Sequence, residues 1–214
     1  MIKIDLFHGI DEREIKLFYA RVQAYNETYK KNDMILQTGS SVNHIYILLE
    51  GRAMIVHDDI WGNRNIIRQI TPGDSFAESF ACSGECMSVS VIALQDCNVC
   101  KISYPLLYKY AFLHDDLCST VLSNLYTEIA SKNVFLAQKV QHLGQRNTRS
   151  KIVSYLSDVA LEKNSCEFDI PFNRQQLADY LCVDRSGLCV ELSLMQKEGL
   201  IEYHKHHFIL HNKE

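Results

Sequence analysis

The chain has 214 residues, of which 47% are hydrophobic and 22% charged, and its formal net charge is −4. This balance is typical of one large or two small globular domains and excludes a disordered chain. No run of 18 or more apolar residues occurs, and the N-terminal stretch MIKIDLFHGIDEREIKLF is too charged for a signal peptide. We therefore expect a cytoplasmic protein with no membrane span. The negative charge also argues against a protein that coats nucleic acid by bulk electrostatics.

The N-terminal half predicts one helix followed by many short strands. Residues 5–20 contain a short amphipathic helix that Asp11 can cap. Short β-like runs follow at 28–30, 34–37, 44–49, 53–57, 65–70, 88–94 and 98–103. They are punctuated by Gly39, Gly51, Gly62 and Gly73, and Trp61-Gly62-Asn63 is predicted to form a hairpin tip. Such regular spacing predicts a barrel or jelly roll.

A jelly roll is compatible with a metal centre of the cupin type. The stretch from Gly39 to Glu50 is similar to half of a cupin motif, whose ligands are histidines and a glutamate. However, Tyr46 stands where the second histidine is needed, and no histidine follows Pro72-Gly73-Asp74. We therefore interpret His44 as a surface strand residue, and we expect neither catalytic residues nor a metal site of this kind.

The eight cysteines lie at positions 82, 86, 97, 100, 118, 166, 182 and 189, a scatter that does not look like a disulfide framework. Cys82 and Cys86, and likewise Cys97 and Cys100, have spacings that can bind zinc or an iron–sulfur cluster. On a strand, however, Cys97 and Cys100 lie on opposite faces. Three alternatives stay open: buried structural thiols, a thiol switch at Cys82/Cys86 or Cys189, and a redox or metal sensor built from the four spaced cysteines.

The longest predicted helix runs from about Tyr104 to His142, with no proline after Pro105 and no glycine before Gly144. Its apolar stripe consists of Cys118, Leu122, Leu125, Ile129, Leu136, Val140 and Leu143, and Lys132-Asn133 interrupts it. A stripe of this kind usually faces the core of its own chain. The helix is also long enough to reach a two-fold partner, in which case the polar break would fix the register.

The segment from Gly144 to Thr148 is predicted to be a hinge, with Asn147 or Thr148 capping a helix that continues through Ala160. Residues 167–171 predict a short edge strand. From Asn173 onward, a capping box with Gln176 starts one helix, and Asp184 is a suitable N-cap for a second.

The second of these helices separates an inner from an outer face. Leu188, Leu192 and Met195 are spaced to pack inward, whereas Ser186, Val190, Ser193 and Lys197 point outward. This pattern predicts either a helix-turn-helix that presents its second helix to a DNA major groove or an ordinary helical hairpin. The apolar–polar runs 200–203 and 207–210 predict a small β-hairpin after it, which favours a winged helix.

At this point the chain resembles the Crp/Fnr superfamily of bacterial transcription regulators. RQQLADYLCVDRSGLCVELSLMQKEGLI is similar to its DNA-binding domain, TGSSVNHIYILLEGRAMI to its strand–turn–strand pattern, and TPGDSFAESFACSG to its phosphate-binding cassette. The resemblance implies an α+β fold in three parts. Residues 1–115 would form a jelly-roll β-roll of the cyclic-nucleotide-binding type, 116–146 a long dimerisation helix and hinge, and 147–214 a winged helix-turn-helix domain.

The resemblance also implies an effector pocket formed by Gly73, Phe76, Ala77, Glu78, Ser79, Met87, Ser88 and Leu136. In the cyclic-nucleotide binders of the family, the glutamate that Glu78 matches holds the ribose, and an Arg-Ser pair holds the cyclic phosphate. Here Met87 replaces that arginine, Ala77 a frequent glycine, and Leu136-Ala137 a hydroxyl pair. The expected effector is therefore unknown and not cyclic AMP, and Glu78 could serve only as a structural acceptor. An iron–sulfur cluster is not expected, because residues 1–30 lack the family's N-terminal cysteines, and neither is heme.

For DNA, the resemblance implies that Arg185 contacts a base, that Ser186, Gly187 and Val190 face the groove, and that Arg174, Gln175 and Asp184 lie near phosphates. It further implies a homodimer on a palindromic promoter site, joined through Leu122, Leu125, Ile129, Leu136, Val140 and Leu143, with RNA polymerase as a partner if the protein activates. From Gln141 onward, nine Lys/Arg stand against ten Asp/Glu, a net charge of −1. This near-neutral balance leaves open a winged helix that contacts protein instead of DNA.

Overall fold

The structure is a computed structural model that describes residues 4–58, 61 and 64–211; the predicted hairpin-tip residues Gly62 and Asn63 lie outside them. The chain forms two compact units, which divide within the long helix. The first unit contains the described residues up to 133 except 64–66, and the second contains 64–66 and the described residues from 134 onward. The predicted middle part, 116–146, is therefore shared between the two units.

The first unit follows the predicted order of helix, short strands and helix. After a 3-10 turn at Asp5–Phe7, its elements are α1 (Glu12–Arg21), β1 (Tyr25–Tyr29), β2 (Met34–Leu36), β3 (His44–Glu50), β4 (Ala53–Asp58), β5 (Arg64–Ile70), β6 (Ser75–Phe76), α2 (Glu78–Ser83), β7 (Ser90–Ala93), β8 (Cys97–Ser103) and α3 (Tyr104–Phe112). Two four-stranded sheets form, in the orders β1-β8-β3-β6 and β2-β7-β4-β5. The predicted roll is confirmed.

Strand β3 is buried on both of its faces. Tyr46 and Leu48 point into the roll core between the two sheets. Ile45 and Ile47 point the other way, into a second core that includes residues of α1, α3 and the following helix. Because successive side chains of a strand alternate, one continuous apolar run serves both cores.

A glycine is required at the turn between β3 and β4. Gly51 has φ of +91°, and a Cβ there would lie 2.2 Å from the carbonyl oxygen of Asp96. Both its left-handed backbone and this close approach exclude a side chain.

The prediction of one helix from about Tyr104 is wrong, because the chain turns at residues 113–115, where His114 has φ of +59°. The long helix, α4, therefore spans only Asp116–Leu143. Leu125 is fully buried in the second core of the first unit, and Leu122 and Ile129 pack against that core. Farther along, Leu136 is 45% exposed and Val140 is 70% exposed. The predicted apolar stripe therefore changes role along the helix, and Leu125 is not accessible to a partner chain.

The second unit continues with α5 (Thr148–Lys163), β9 (Glu167–Asp169), α6 (Arg174–Leu181), α7 (Arg185–Lys197), β10 (Ile201–His204) and β11 (His207–Leu210). The last two strands pair antiparallel, and β11 also pairs with β9, which gives the wing and edge strand that the sequence predicted. Asn147 caps α5, and Asn173 with Gln176 forms the capping box of α6. No helix in the described ranges is long and apolar enough to cross a bilayer.

Candidate functional site

The cassette of the roll lies at the turn from β5 to α2. Gly73 has φ of +100°, and Ala77, just before α2, has φ of +63°. A left-handed alanine is strained by about 1 kcal/mol, which explains why a glycine suits this position. The turn places Glu78 at the first position of α2, with its side chain buried.

Glu78 is held by a lysine that the sequence did not single out as part of the pocket. The Nζ of Lys132, on α4, lies 3.1 Å from Oε1 of Glu78 and 2.9 Å from Oε1 of Glu128. It also donates to the carbonyl and hydroxyl oxygens of Ser75, both at 2.8 Å. The Ser75 hydroxyl in turn donates to Glu128 at 2.7 Å. The cassette is thus tied to the long helix by a buried polar network.

This network is electrostatically closed to an additional anion. Two carboxylates share one ammonium, and Oε2 of Glu78 and Oε2 of Glu128 are buried with no hydrogen-bond partner among the described residues. Met87, which the resemblance predicted to replace the family's phosphate-binding arginine, is 2% exposed and belongs to the roll core. A cyclic phosphate placed beside this network would gain no charge from Met87 and would meet two carboxylates that already share one ammonium, which is costly in a buried site.

One sequence signal pointed to this network without identifying it. Lys132 interrupts the apolar stripe of α4, and Glu128 precedes it by four residues, the spacing at which helical side chains meet. No local pattern indicates that this pair reaches Glu78, because that contact joins residues 54 positions apart.

The other predicted pocket residues are dispersed. Phe76 lies in the roll core, and Ala77 packs against it. Ser79 and Ser88 are exposed, and Leu136 belongs to the second unit.

The spaced cysteines of β8 lie in different cores. Cys97 is part of the roll core, whereas Cys100 is part of the core on the opposite face. Burial raises the pKa of the Cys100 thiol to about 11 and also raises the pKa of Cys97. Neither thiol therefore has thiolate character near neutral pH, and the two cannot chelate one ion. No cluster of three metal-ligating side chains occurs in the part of the chain that the structure describes.

The second unit contains a cationic cleft of about 450 Å³. It is lined by Asn173, Arg174, Gln175, Arg185, Lys205 and His206. These residues come from the N-terminal ends of α6 and α7 and from the turn of the wing. Two helix N-termini and three cationic side chains therefore meet in one concave surface, an arrangement suited to phosphates.

The predicted DNA-binding residues of α6 are held in place by neighbours. The guanidinium of Arg174 lies 4.7 Å from the ring centroid of Tyr203 and 5.1 Å from that of Phe208, both on the wing. Burial lowers the pKa of Arg174, although the group stays protonated at neutral pH. Gln175 donates to Asp179 at 2.7 Å, one turn along the helix. Arg174 thus also fastens the wing to α6.

The start of α7 is organised by Asp184. Its carboxylate accepts hydrogen bonds from the Ser186 hydroxyl and, at 2.8 Å, from the amide of Gly187, and these bonds lower its pKa. Arg185 and Ser186 are exposed, and Val190 is 60% exposed one turn later. The predicted outer face of the helix is therefore accessible.

Two cations near this surface are engaged within the unit. Arg149 forms ion pairs with Glu191 and Glu198, each at 2.7 Å. Lys151 donates to the last carbonyls of α6, those of Leu181 and Cys182. Both side chains therefore brace the helix-turn-helix and are not among the residues that line the cationic cleft.

A β-roll with a ligand cassette, followed by a winged helix-turn-helix with a cationic cleft, defines a DNA-binding transcription regulator. Residues 26–111 match the cyclic nucleotide-binding domain family, and residues 150–214 match the Crp-like helix-turn-helix domain family. The chain belongs to the Crp/Fnr family of transcription regulators, which bind DNA, typically as homodimers, and are not enzymes.

Individual relatives are distant in sequence. The cAMP-activated global transcriptional regulator CRP of Pasteurella multocida is 20% identical over 181 residues, which are 82% of this chain and 85% of that protein. Among solved structures, a CooA variant from Carboxydothermus hydrogenoformans has a TM-score of 0.72 at 13% identity and covers 96% of this chain and 88% of its own. The c-di-GMP-responsive regulator CLP of Xanthomonas campestris has a TM-score of 0.70 at 18% identity, with 95% and 100% covered. At these identities the structures share the fold.

Proposed function

We propose that this regulator binds a palindromic DNA site as a homodimer and that its roll responds to a signal other than cyclic AMP. The observation that carries the DNA part is the cationic cleft, in which Arg174, Arg185 and Lys205 converge on two helix N-termini. Two-fold symmetry then requires half-sites about 34 Å apart, one turn of the duplex. In an activator, RNA polymerase is a further partner.

Arg185 is the base-contacting residue in this proposal. It is exposed at the first position of α7, where a guanidinium enters a major groove, and a bidentate contact to guanine contributes about 1 to 3 kcal/mol of discrimination. We expect Arg185→Ala to remove the preference for one base pair in each half-site, and Lys205→Ala to weaken binding to all sequences about equally. Competition binding with single-base-pair variants of the selected site separates the two. Uniform weakening by Arg185→Ala would make it a phosphate contact.

Charge at the cassette disfavours cyclic AMP as the signal. Lys132 already neutralises part of the Glu78/Glu128 pair, and Met87 offers no charge to a phosphate. A neutral or less polar effector avoids this conflict, and a redox signal remains the second candidate because Cys86 is exposed.

Selection of duplexes from a random DNA pool by the purified protein tests both parts. The pool is offered at low salt with and without cyclic AMP, and with and without a reductant. We expect the same palindrome with or without cyclic AMP. Enrichment only with cyclic AMP would contradict the conclusion that Met87 leaves the roll unable to hold a cyclic phosphate. Enrichment that depends on the reductant would favour the redox candidate. The absence of any enriched sequence, from a protein that sediments as a folded dimer, would favour a winged helix that contacts protein.

A further inference from the structure

The outward face of α7 is apolar in its middle. Val190 is 60% exposed, and Leu194, one helical turn later, is 43% exposed. Both side chains lie on the side of the helix away from the residues that pack inward. Arg185, which lines the cationic cleft, begins the same helix. Val190 and Leu194 thus form an apolar patch next to a surface that is suited to phosphates.

The polar side chains around the apolar patch are engaged within the protein. The Ser186 hydroxyl donates to Asp184, and the Ser193 hydroxyl donates to the carbonyl of Cys189 at 2.9 Å. The carboxylate of Glu191 forms an ion pair with an arginine of α5 at 2.7 Å. From residue 186 to residue 194, all of which the structure describes, every hydroxyl therefore already donates within the protein and the one acid is paired. A base edge that faces this stretch would meet mainly the apolar patch.

Thymine is the base that such a patch can recognise. In the major groove the other three bases present hydrogen-bond donors and acceptors, whereas thymine adds an apolar C5 methyl group. A valine that packs against this methyl group removes apolar surface of both from water. A base that turned only donors and acceptors toward Val190 would instead lose hydrogen bonds to water without replacement. The contact therefore favours thymine and disfavours the other bases.

We propose that Val190 determines specificity by packing against a thymine methyl group in each half-site. This inference rests on the proposed function, because it requires α7 to enter a major groove. Val190 follows Arg185 by five residues, which is about 7.5 Å along a helix axis. Since successive base pairs are about 3.4 Å apart, the thymine lies about two base pairs from the guanine that Arg185 contacts.

Replacing thymine by deoxyuridine in the selected palindrome tests the methyl contact, because deoxyuridine lacks only the methyl group and still pairs with adenine. Binding of the full-length protein is measured by competition, with each thymine of the half-site replaced in turn on both sides of the palindrome. At the thymine that faces Val190 we expect about 10- to 20-fold weaker binding, which corresponds to about 4-fold for each buried methyl group. The other thymines should tolerate the replacement.

A variant links this effect to the valine side chain. Alanine is a good helix former and position 190 is exposed, so Val190→Ala should leave α7 folded. We expect Val190→Ala to bind the thymine and deoxyuridine duplexes about equally, and to bind the deoxyuridine duplex as tightly as the unmodified protein does. Val153→Ala, at an exposed valine of α5, is the matched control and should keep the full loss on replacement by deoxyuridine.

The role of Val190 and the proposed function fail in different ways. A palindrome that the unmodified protein binds equally well with thymine or deoxyuridine at every position would overturn the role of Val190 and leave the proposed function intact. A deoxyuridine effect that persists in Val190→Ala would do the same. Without any enriched palindrome, the proposed function itself fails and this inference with it, and the apolar patch would instead be a contact for protein.

Discussion

The ammonium of Lys132 holds together two buried carboxylates, those of Glu78 and Glu128, that would otherwise repel each other. Glu78, for which the resemblance predicted a ribose contact, is paired with a side chain of the same protein. Because each partner is at least 80% buried, solvent screens the network only weakly.

Removing this ammonium should strongly destabilise the first unit. We expect Lys132→Met to lower the free energy of unfolding by about 3 to 5 kcal/mol, because two buried carboxylates lose their counter-ion. Urea unfolding followed by circular dichroism measures the loss, with Lys16→Met on the exposed face of α1 as the control, expected within about 0.5 kcal/mol of the unmodified protein. In a Glu128→Gln background the loss should shrink by about 0.5 to 3 kcal/mol. A loss no larger than that of the control would show that the network contributes nothing.

Because of Lys139, the stability of the second unit should vary with pH in the alkaline range. Burial lowers the pKa of Lys139 to about 8, against about 10.4 in an unfolded chain. Between these values the unfolded state binds more protons, so stability should rise as the pH increases through this window and should not change from this cause below it.

Urea unfolding at a series of pH values from about 7 to 10.5 tests whether the free energy of unfolding rises with pH. Lys139→Met is compared at each pH, because the cysteine thiols also titrate in this range. The difference in stability between the unmodified protein and Lys139→Met should move in favour of the unmodified protein as the pH rises. A difference independent of pH would contradict the lowered pKa.

At the scale of the element, α7 contains one glycine and is followed by another, and the two have different roles. Gly187 has ordinary helical backbone, and a Cβ there would meet only Oδ2 of Asp184, at 3.8 Å. Gly199 ends the helix with φ of +71°, and the amide of Leu200 bonds back to the Met195 carbonyl. Gly199 is thus a helix-ending residue whose conformation side chains disfavour.

Replacing these two glycines by alanine should therefore change the free energy of unfolding in opposite directions. We expect Gly187→Ala to raise the free energy of unfolding by about 0.5 to 1 kcal/mol, because alanine favours a helix and has room here. Gly199→Ala should lower it by about 1 to 2 kcal/mol, because alanine resists the left-handed region. Thermal unfolding of the two variants gives the comparison. Changes of the same sign would mean that backbone conformation does not determine these effects.

The long helix shows how one apolar stripe divides between two tasks. Leu125 is fully buried against the roll, whereas Val140 is largely exposed at the other end of α4. An exposed valine on an otherwise structured helix is consistent with the proposed dimer seam, which is therefore restricted to the positions that are not buried within the chain.

At the scale of the whole molecule, the homodimer is the assembly to test. We expect Val140→Glu to weaken dimerisation at least about 30-fold, because two like charges would meet across the two-fold axis at a cost of several kcal/mol. Sedimentation measures the change, and Gln141→Glu, on the adjacent exposed residue, is the control for added charge. DNA binding should fall with dimerisation. An unchanged dimer would move the seam away from this end of α4.

Local patterns in the sequence were sufficient to predict most of the elements. The cap at Asp11, the capping box at Asn173, the alternation along residues 44–49 and the turn glycines each depend on neighbours a few residues apart. The position of Cys97 and Cys100 on opposite faces follows from strand geometry alone and is confirmed. The family followed from three motifs in the right order.

Only the tertiary structure determined what those elements bring together. The ion pair of Lys132 with Glu78 and the stacking of Arg174 on the wing join residues distant in the chain. A polar residue in an apolar stripe predicts a hydrogen-bond or ion-pair partner within the fold. The identity of that partner depends on how the helix is rotated and where it crosses the roll. The sequence determined the roll and the winged helix because their signals are local. The content of the pocket depends on long-range contacts, which no local pattern encodes.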